Sequence, residues 1–99
     1  MGDRITIVFV DENDYESPAL YAHWEGMNML NLVNRFYNEY HGKIRSEASN
    51  WLFNFVLWMG QEGVACIQDG NFYLERSEEY CDLSDNGLFK ISTVSGEIL

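Results

Sequence analysis

Basic side chains are scarce in this sequence. Six Lys and Arg stand against 16 Asp and Glu, for a net charge of −10. A phosphate-binding face gathers Lys and Arg on one surface, so the balance excludes direct nucleic-acid binding. Cysteine occurs twice, as Cys66 and Cys81, with no motif around either. Together with His23 and His41 they lack the spacing of zinc ligands. They are read as free thiols in a reducing compartment, Cys66 buried as a small hydrophobe. The eight glycines fall singly at turn positions. No phosphate loop, dinucleotide fingerprint or nucleophile elbow can be built from them. The opening residues Met1-Gly2-Asp3-Arg4 lack the basic and apolar regions of a secretory leader. The longest apolar run, Trp51–Met59, is far shorter than the roughly 20 residues that cross a bilayer. These absences describe a cytoplasmic, non-enzymatic protein that uses no metal or other cofactor and no membrane.

Aromatic and aliphatic side chains are plentiful. Hydrophobic residues make up 46% of the chain and aromatic ones 15%, enough for a packed core in one domain spanning 1–99. Between Trp51 and Met59 only Asn54 interrupts a series of Trp, Phe, Leu, Val and Met. As a helix this segment has no polar face, so it is expected to be buried on most sides. Ser46 is its expected N-cap, Glu47 its first turn, and its end lies near Gln61, with Gly63 closing it.

The remaining elements follow from periodicity and turn residues. Arg4–Asp11 alternates Ile5, Ile7 and Phe9 against Thr6, Val8 and Val10, both sets largely apolar, which predicts a central strand. Ser17-Pro18 leads into a second strand over Ala19–Trp24. Met27–His41 carries Met29, Val33, Phe36 and Tyr40 on one helical face, widened by Leu30 and Tyr37, and Gly42 ends it. Val64–Ile67 and Phe72–Glu75 flank Asp69-Gly70 and predict a hairpin. A turn of helix is expected around Ser77–Tyr80, a strand over Leu88–Val94, and a short stub over Glu97–Leu99. The fold class is α+β: an antiparallel or mixed sheet of about four strands against a helical hairpin, in the order ββααβββ.

Leu20-Tyr21, His23-Trp24 and Gly26 form the most distinctive local pattern, echoed downstream by Asp85-Asn86-Gly87. With this order of elements, the chain resembles a group of small uncharacterised proteins encoded by phages and some prokaryotes. The likeness covers most of the chain and implies the fold and a viral or mobile-element origin. It implies no site, because the group has no established activity. The chain differs from the group after Trp24, where Glu25-Gly26 replaces a Gly-rich step. Read from the residues alone, Trp24 seals the core and His23 bonds a backbone carbonyl, with Tyr21 on the face of His23.

Asp82, Ser84, Asn86 and Gly87 match the first half of a calcium loop. Thr93 stands where the bidentate Glu belongs and a strand follows instead of a helix, so the segment reads as a turn. The acidic residues themselves fall in two clusters: Asp11, Glu12, Asp14 and Glu16 in the first loop, and Glu75, Glu78, Glu79, Asp82 and Asp85 in the irregular stretch. They are either two solvated loops or one surface for a basic partner, with Tyr15, Tyr73 and Tyr80 as aromatic anchors. Under the second reading these acidic residues with Tyr80 form the partner-binding site. The expected function is occlusion of a basic surface of a host protein, for example a defence nuclease. The alternative is a structural or oligomeric accessory protein, a homodimer included, that associates through apolar surface.

Overall fold

Six consecutive buried residues, Ile5–Val10, form strand β1 at the heart of the sheet. The computed structural model describes residues 2–99. After β1 come β2 (Ala19–Ala22), α1 (Asn28–Tyr40), α2 (Ala48–Gln61), β3 (Phe72–Glu75), a short 3-10 turn (Glu78–Tyr80) and β4 (Leu88–Ser92). The fold is α+β with a mixed four-stranded sheet in the order β3-β2-β1-β4. β2 runs antiparallel to both β1 and β3, while β4 lies parallel to β1.

The alternation in β1 sorts its side chains between two layers. Ile5, Ile7 and Phe9 join Leu20, Ala22 and Ile91 in the core formed with both helices. Thr6, Val8 and Val10 face the other way and are buried as well. Burial on both sides accounts for the unbroken apolar run.

The core centres on Phe36 of α1. Its ring lies 5.2 Å from Trp51, 5.3 Å from Phe55 and 5.6 Å from Trp58, centroid to centroid. Two of these contacts are edge-on, the arrangement that aromatic quadrupoles favour. Phe9 meets Phe55 at 5.6 Å, which fixes α2 to the sheet. Trp58 keeps its indole N–H satisfied by donating to Glu39 Oε2.

α2 departs from the expected all-round burial. Trp51, Leu52, Phe55, Trp58 and Met59 are buried, but Phe53 is 61% exposed and Leu57 52%. One helix and one sheet cover only the inward sides of α2, so two large apolar side chains face solvent. Its start differs too. Ser46 is not the cap: the Ala48 N–H donates to Asp11 Oδ2 at 3.0 Å, and the Ser46 carbonyl accepts from Thr93 Oγ1. Glu47 is the residue before the helix and makes no cap bond.

No strand forms over Val64–Ile67, and the expected hairpin with Phe72–Glu75 is absent. The N–H groups of Val64 and Ala65 both reach the Met59 carbonyl, so this backbone finishes α2 and those two donors are not free for a ladder. Phe72–Glu75 pairs with β2 instead. Ile67 is left 95% exposed, and Cys66 is exposed where burial was expected. At the far end, the stub at Glu97–Leu99 does form contacts: Ile98 bridges Ile91, and the Leu99 N–H donates to the Lys90 carbonyl.

The distinctive segment of β2 is explained by backbone geometry. His23 gives its N–H to the Asn71 carbonyl and takes one from Asp3. The Trp24 N–H bonds Asn71 Oδ1 at 2.7 Å. Gly26 has φ +55°, and a Cβ there would fall 2.1 Å from Asp3 Oδ2. Both features favour glycine at this turn into α1. Trp24 does not seal the core: it is 55% exposed, edge-on to His23 at 4.5 Å. No helix of the described residues is long and apolar enough to cross a membrane.

Candidate functional site

Strand pairing lines up Thr6, Tyr21 and Tyr73 across β1, β2 and β3 on the face away from the helices. The connection from β3 to β4 crosses this face. It brings Tyr80, Cys81 and Asp82 against the row and leaves a cavity of about 340 Å³, lined by Tyr21, His23, Tyr73, Glu75, Tyr80, Cys81 and Asp82. The Tyr21 hydroxyl and His23 Nδ1 are 2.9 Å apart, so His23 contacts a phenol and not the expected carbonyl. The Tyr21 and Tyr73 rings are 5.8 Å apart. Thr6 lies behind this wall, fully buried, its hydroxyl beside Cys81 without a hydrogen bond of normal geometry.

Ion pairs hold the crossing segment in place. Arg4 contacts Asp82 through Nη1 and Asp85 through Nε, the latter at 2.8 Å. Asn86 donates to Asp3 Oδ1 and to the Arg4 carbonyl. The Arg4 hydrogen bond keeps the Asp85 carboxyl below its ordinary range, and Asp82 is lowered first by the Ser84 N–H. Two of the side chains that suggest the first half of a calcium loop, Asp82 and Asn86, are therefore engaged by Arg4 and Asp3. Among the described residues no group of three or more His, Cys, Asp or Glu could hold a metal ion.

Lys90 joins the two acidic segments. Its Nζ lies 2.7 Å from Glu16 of the first loop and 3.8 Å from Glu78 of the crossing segment. Pairing with Glu16 raises the Lys90 pKa. Glu16 and Glu78, one from each cluster, thus meet at Lys90.

The ten residues expected to contact a partner fall into distinct positions. Glu75, Tyr80 and Asp82 line the cavity. Glu78 is half-buried beside Lys90, Glu79 is exposed, and Asp85 holds Arg4. Asp11 and Glu16 line a separate open hollow with Tyr15 at the start of α2, while Glu12 and Asp14 stand exposed at the loop tip.

Asp11 needs correction as a contact residue. It is only 8% exposed, and both carboxylate oxygens are engaged, Oδ2 by Ala48 and Oδ1 by the N–H groups of Asn13 and Tyr15. These bonds lower its pKa, Ala48 most of all. It is a helix cap contributed from outside the helix. Tyr21, His23 and Cys81 were not anticipated as neighbours of Glu75. The shared face of Tyr21 and His23 was visible in the alternation of β2, but the pairing of β2 with β3 was not. Burial above all, with a smaller part from the charges of Glu75 and Glu78, pushes the Cys81 thiol up.

The comparisons with known proteins give no match: no family model fits the chain, and no curated protein or solved structure is similar to it.

Proposed function

We propose that this chain is a small acidic binding protein of viral or mobile-element origin that works in the cytoplasm without catalysis. It covers a basic surface of a host protein, and a defence nuclease is the concrete form of that partner. The observation that carries the reading is the Lys90 bridge between Glu16 and Glu78. It means that carboxylates from two distant segments belong to one side of the molecule, as a basic partner requires. The excess of negative charge would steer such a partner in from a distance.

The test is affinity purification of the tagged protein from host cells, followed by titration of the identified partner with pure protein. Glu12, Asp14, Glu75 and Glu79 form no ion pair with another described residue. Reversing all four to Lys therefore leaves the internal pairs intact. Affinity is expected to fall at least about tenfold on reversal and to fall steeply with added salt. Affinity indifferent to both would overturn the reading.

A second reading, association through apolar surface, is favoured by the edge of β3. The His23 N–H bonds the Asn71 carbonyl, and β2 and β3 pair Ala22 with Phe72. By the alternation of an antiparallel ladder, Phe72 and Leu74 then point their backbone N–H and C=O outward. Beside this free edge runs an apolar hollow of about 220 Å³ between Val56, Met59, Ala65, Phe72 and Leu74. Exposed Leu57 and Ile67 continue it. A second copy pairing edge to edge would cover both backbone and groove. Sedimentation would then show a salt-insensitive dimer that Leu74→Lys converts to monomer. A wild-type monomer at about 100 μM, well above a micromolar dissociation constant, would exclude it.

A further inference from the structure

We propose that the cavity between Tyr21, Tyr73, Glu75 and Tyr80 is an anchor pocket for an arginine side chain of the basic partner. The inference rests on the acidic-face reading and adds the identity of the group that is gripped. Phenol rings supply the walls, and Glu75, which is in no ion pair among the described residues, supplies a carboxylate at the rim. A guanidinium is planar and weakly hydrated, so it can stack on a phenol while its edge donates to a carboxylate. An ammonium needs acceptors on three sides and loses more hydration on entering between rings.

The chain's own arginines display both halves of this chemistry around the same cavity. Arg76 places its guanidinium carbon 4.3 Å from the centroid of the Tyr80 ring. Arg4 is held by Asp82, another cavity wall, together with Asp85. Five carboxylates (Glu16, Glu75, Glu78, Asp82 and Asp85) stand against three cations (Arg4, Arg76 and Lys90) in this region. The surplus is negative even after internal pairing. An anion would meet that surplus, whereas an incoming cation is drawn by it. Tyr73 and Tyr80 are open to solvent, so the pocket is reachable without rearrangement.

The probe is the peptide acetyl-Gly-Arg-Gly-Arg-Gly amide, titrated at low salt into the isotopically labelled full chain and followed by NMR. Lysine and citrulline versions of the same peptide serve as comparisons. The ring resonances of Tyr21, Tyr73 and Tyr80 are expected to shift with the arginine peptide. The lysine version should bind several-fold more weakly, and the uncharged citrulline version should give no saturating shift. Glu75→Gln should weaken the arginine peptide by roughly tenfold, as expected for loss of a charge-assisted bond, and Tyr80→Ala by about two- to fivefold. Glu12→Gln, remote from the pocket, should leave binding within about twofold, since a lone rim charge contributes little. Unchanged amide spectra of the variants confirm that the fold is kept.

Equal affinity for the lysine peptide would overturn the guanidinium assignment. Arginine-peptide shifts confined to other residues, with Glu75→Gln and Tyr80→Ala inert, would overturn the pocket and leave the acidic-face reading standing. No binding of either cationic peptide would overturn both.

Discussion

Phe36→Ala is expected to unfold the protein or lower its melting temperature by roughly 15–30 °C. Removing a buried phenylalanine costs about 3–5 kcal/mol when its surroundings cannot collapse. A domain of this size has only about 5–15 kcal/mol in hand and loses about 4–8 °C per kcal/mol. Collapse is obstructed here because Trp51, Phe55, Trp58 and Tyr40 all bear on the one ring. They are held by two different helices, so none can advance into the gap without dragging its helix. Phe53→Ala is the matched control, the same chemistry on the solvent side of α2, and should change stability by no more than about 0.5 kcal/mol. Thermal unfolding followed by near-ultraviolet circular dichroism reads both. Equal losses would mean that the aromatic cluster is not the core.

Asp11→Ala is expected to be the most damaging change among the acidic residues, lowering the melting temperature by roughly 5–10 °C, the usual cost of a lost helix cap. It releases the first N–H of α2 and, in the same stroke, unties Asn13 and Tyr15 in the loop. Asp11→Asn keeps an acceptor and should lose less at neutral pH. Acid titration supplies an independent measure. The Asp11 carboxyl sits below its ordinary value of 3.8 because backbone N–H groups, Ala48 foremost, favour the charged form. A carboxyl lowered on folding stabilises the native state above its unfolded pKa, and that contribution disappears as pH falls through the folded one. Wild-type melting temperature should thus hold from neutrality to about pH 5 and then decline. Asp11→Asn should decline less steeply, with Asp82 and Asp85, lowered in the same direction, accounting for the rest. Identical slopes would show that Asp11 makes no such contribution.

Local periodicity carried much of the architecture. The two-residue alternation in Ile5–Val10 and the helical spacing of Met29, Val33 and Phe36 were legible because each is a property of neighbours in the chain. So was the role of Gly42, which has φ +77° just beyond α1. What escaped depended on partners far away. Asp11 reads as an ordinary loop acid until the N–H of Ala48, 37 residues on, is brought to it. Tyr21 and Tyr73 become walls of one cavity only through β2–β3 pairing, and a credible Asp-Gly turn pointed to a different partner for β3. The composition of Val64–Ile67 suits a strand, but the end of α2 engages the N–H groups of Val64 and Ala65. Burial of α2 was overestimated at Phe53 and Leu57 because hydrophobicity alone does not say how many neighbours a helix has.

The two margins of the sheet are unlike, and the difference bears on how the molecule could assemble. Ile98 and Leu99 lie along the second half of β4 and occupy outward backbone groups there, while among the described residues no backbone group bonds the outer side of β3. A sheet that can be lengthened from both sides polymerises; one that can be lengthened from a single side meets its twin once, about a twofold axis, and stops. Strand-to-strand growth of this protein would accordingly terminate at a pair, which keeps an apolar margin from becoming a filament.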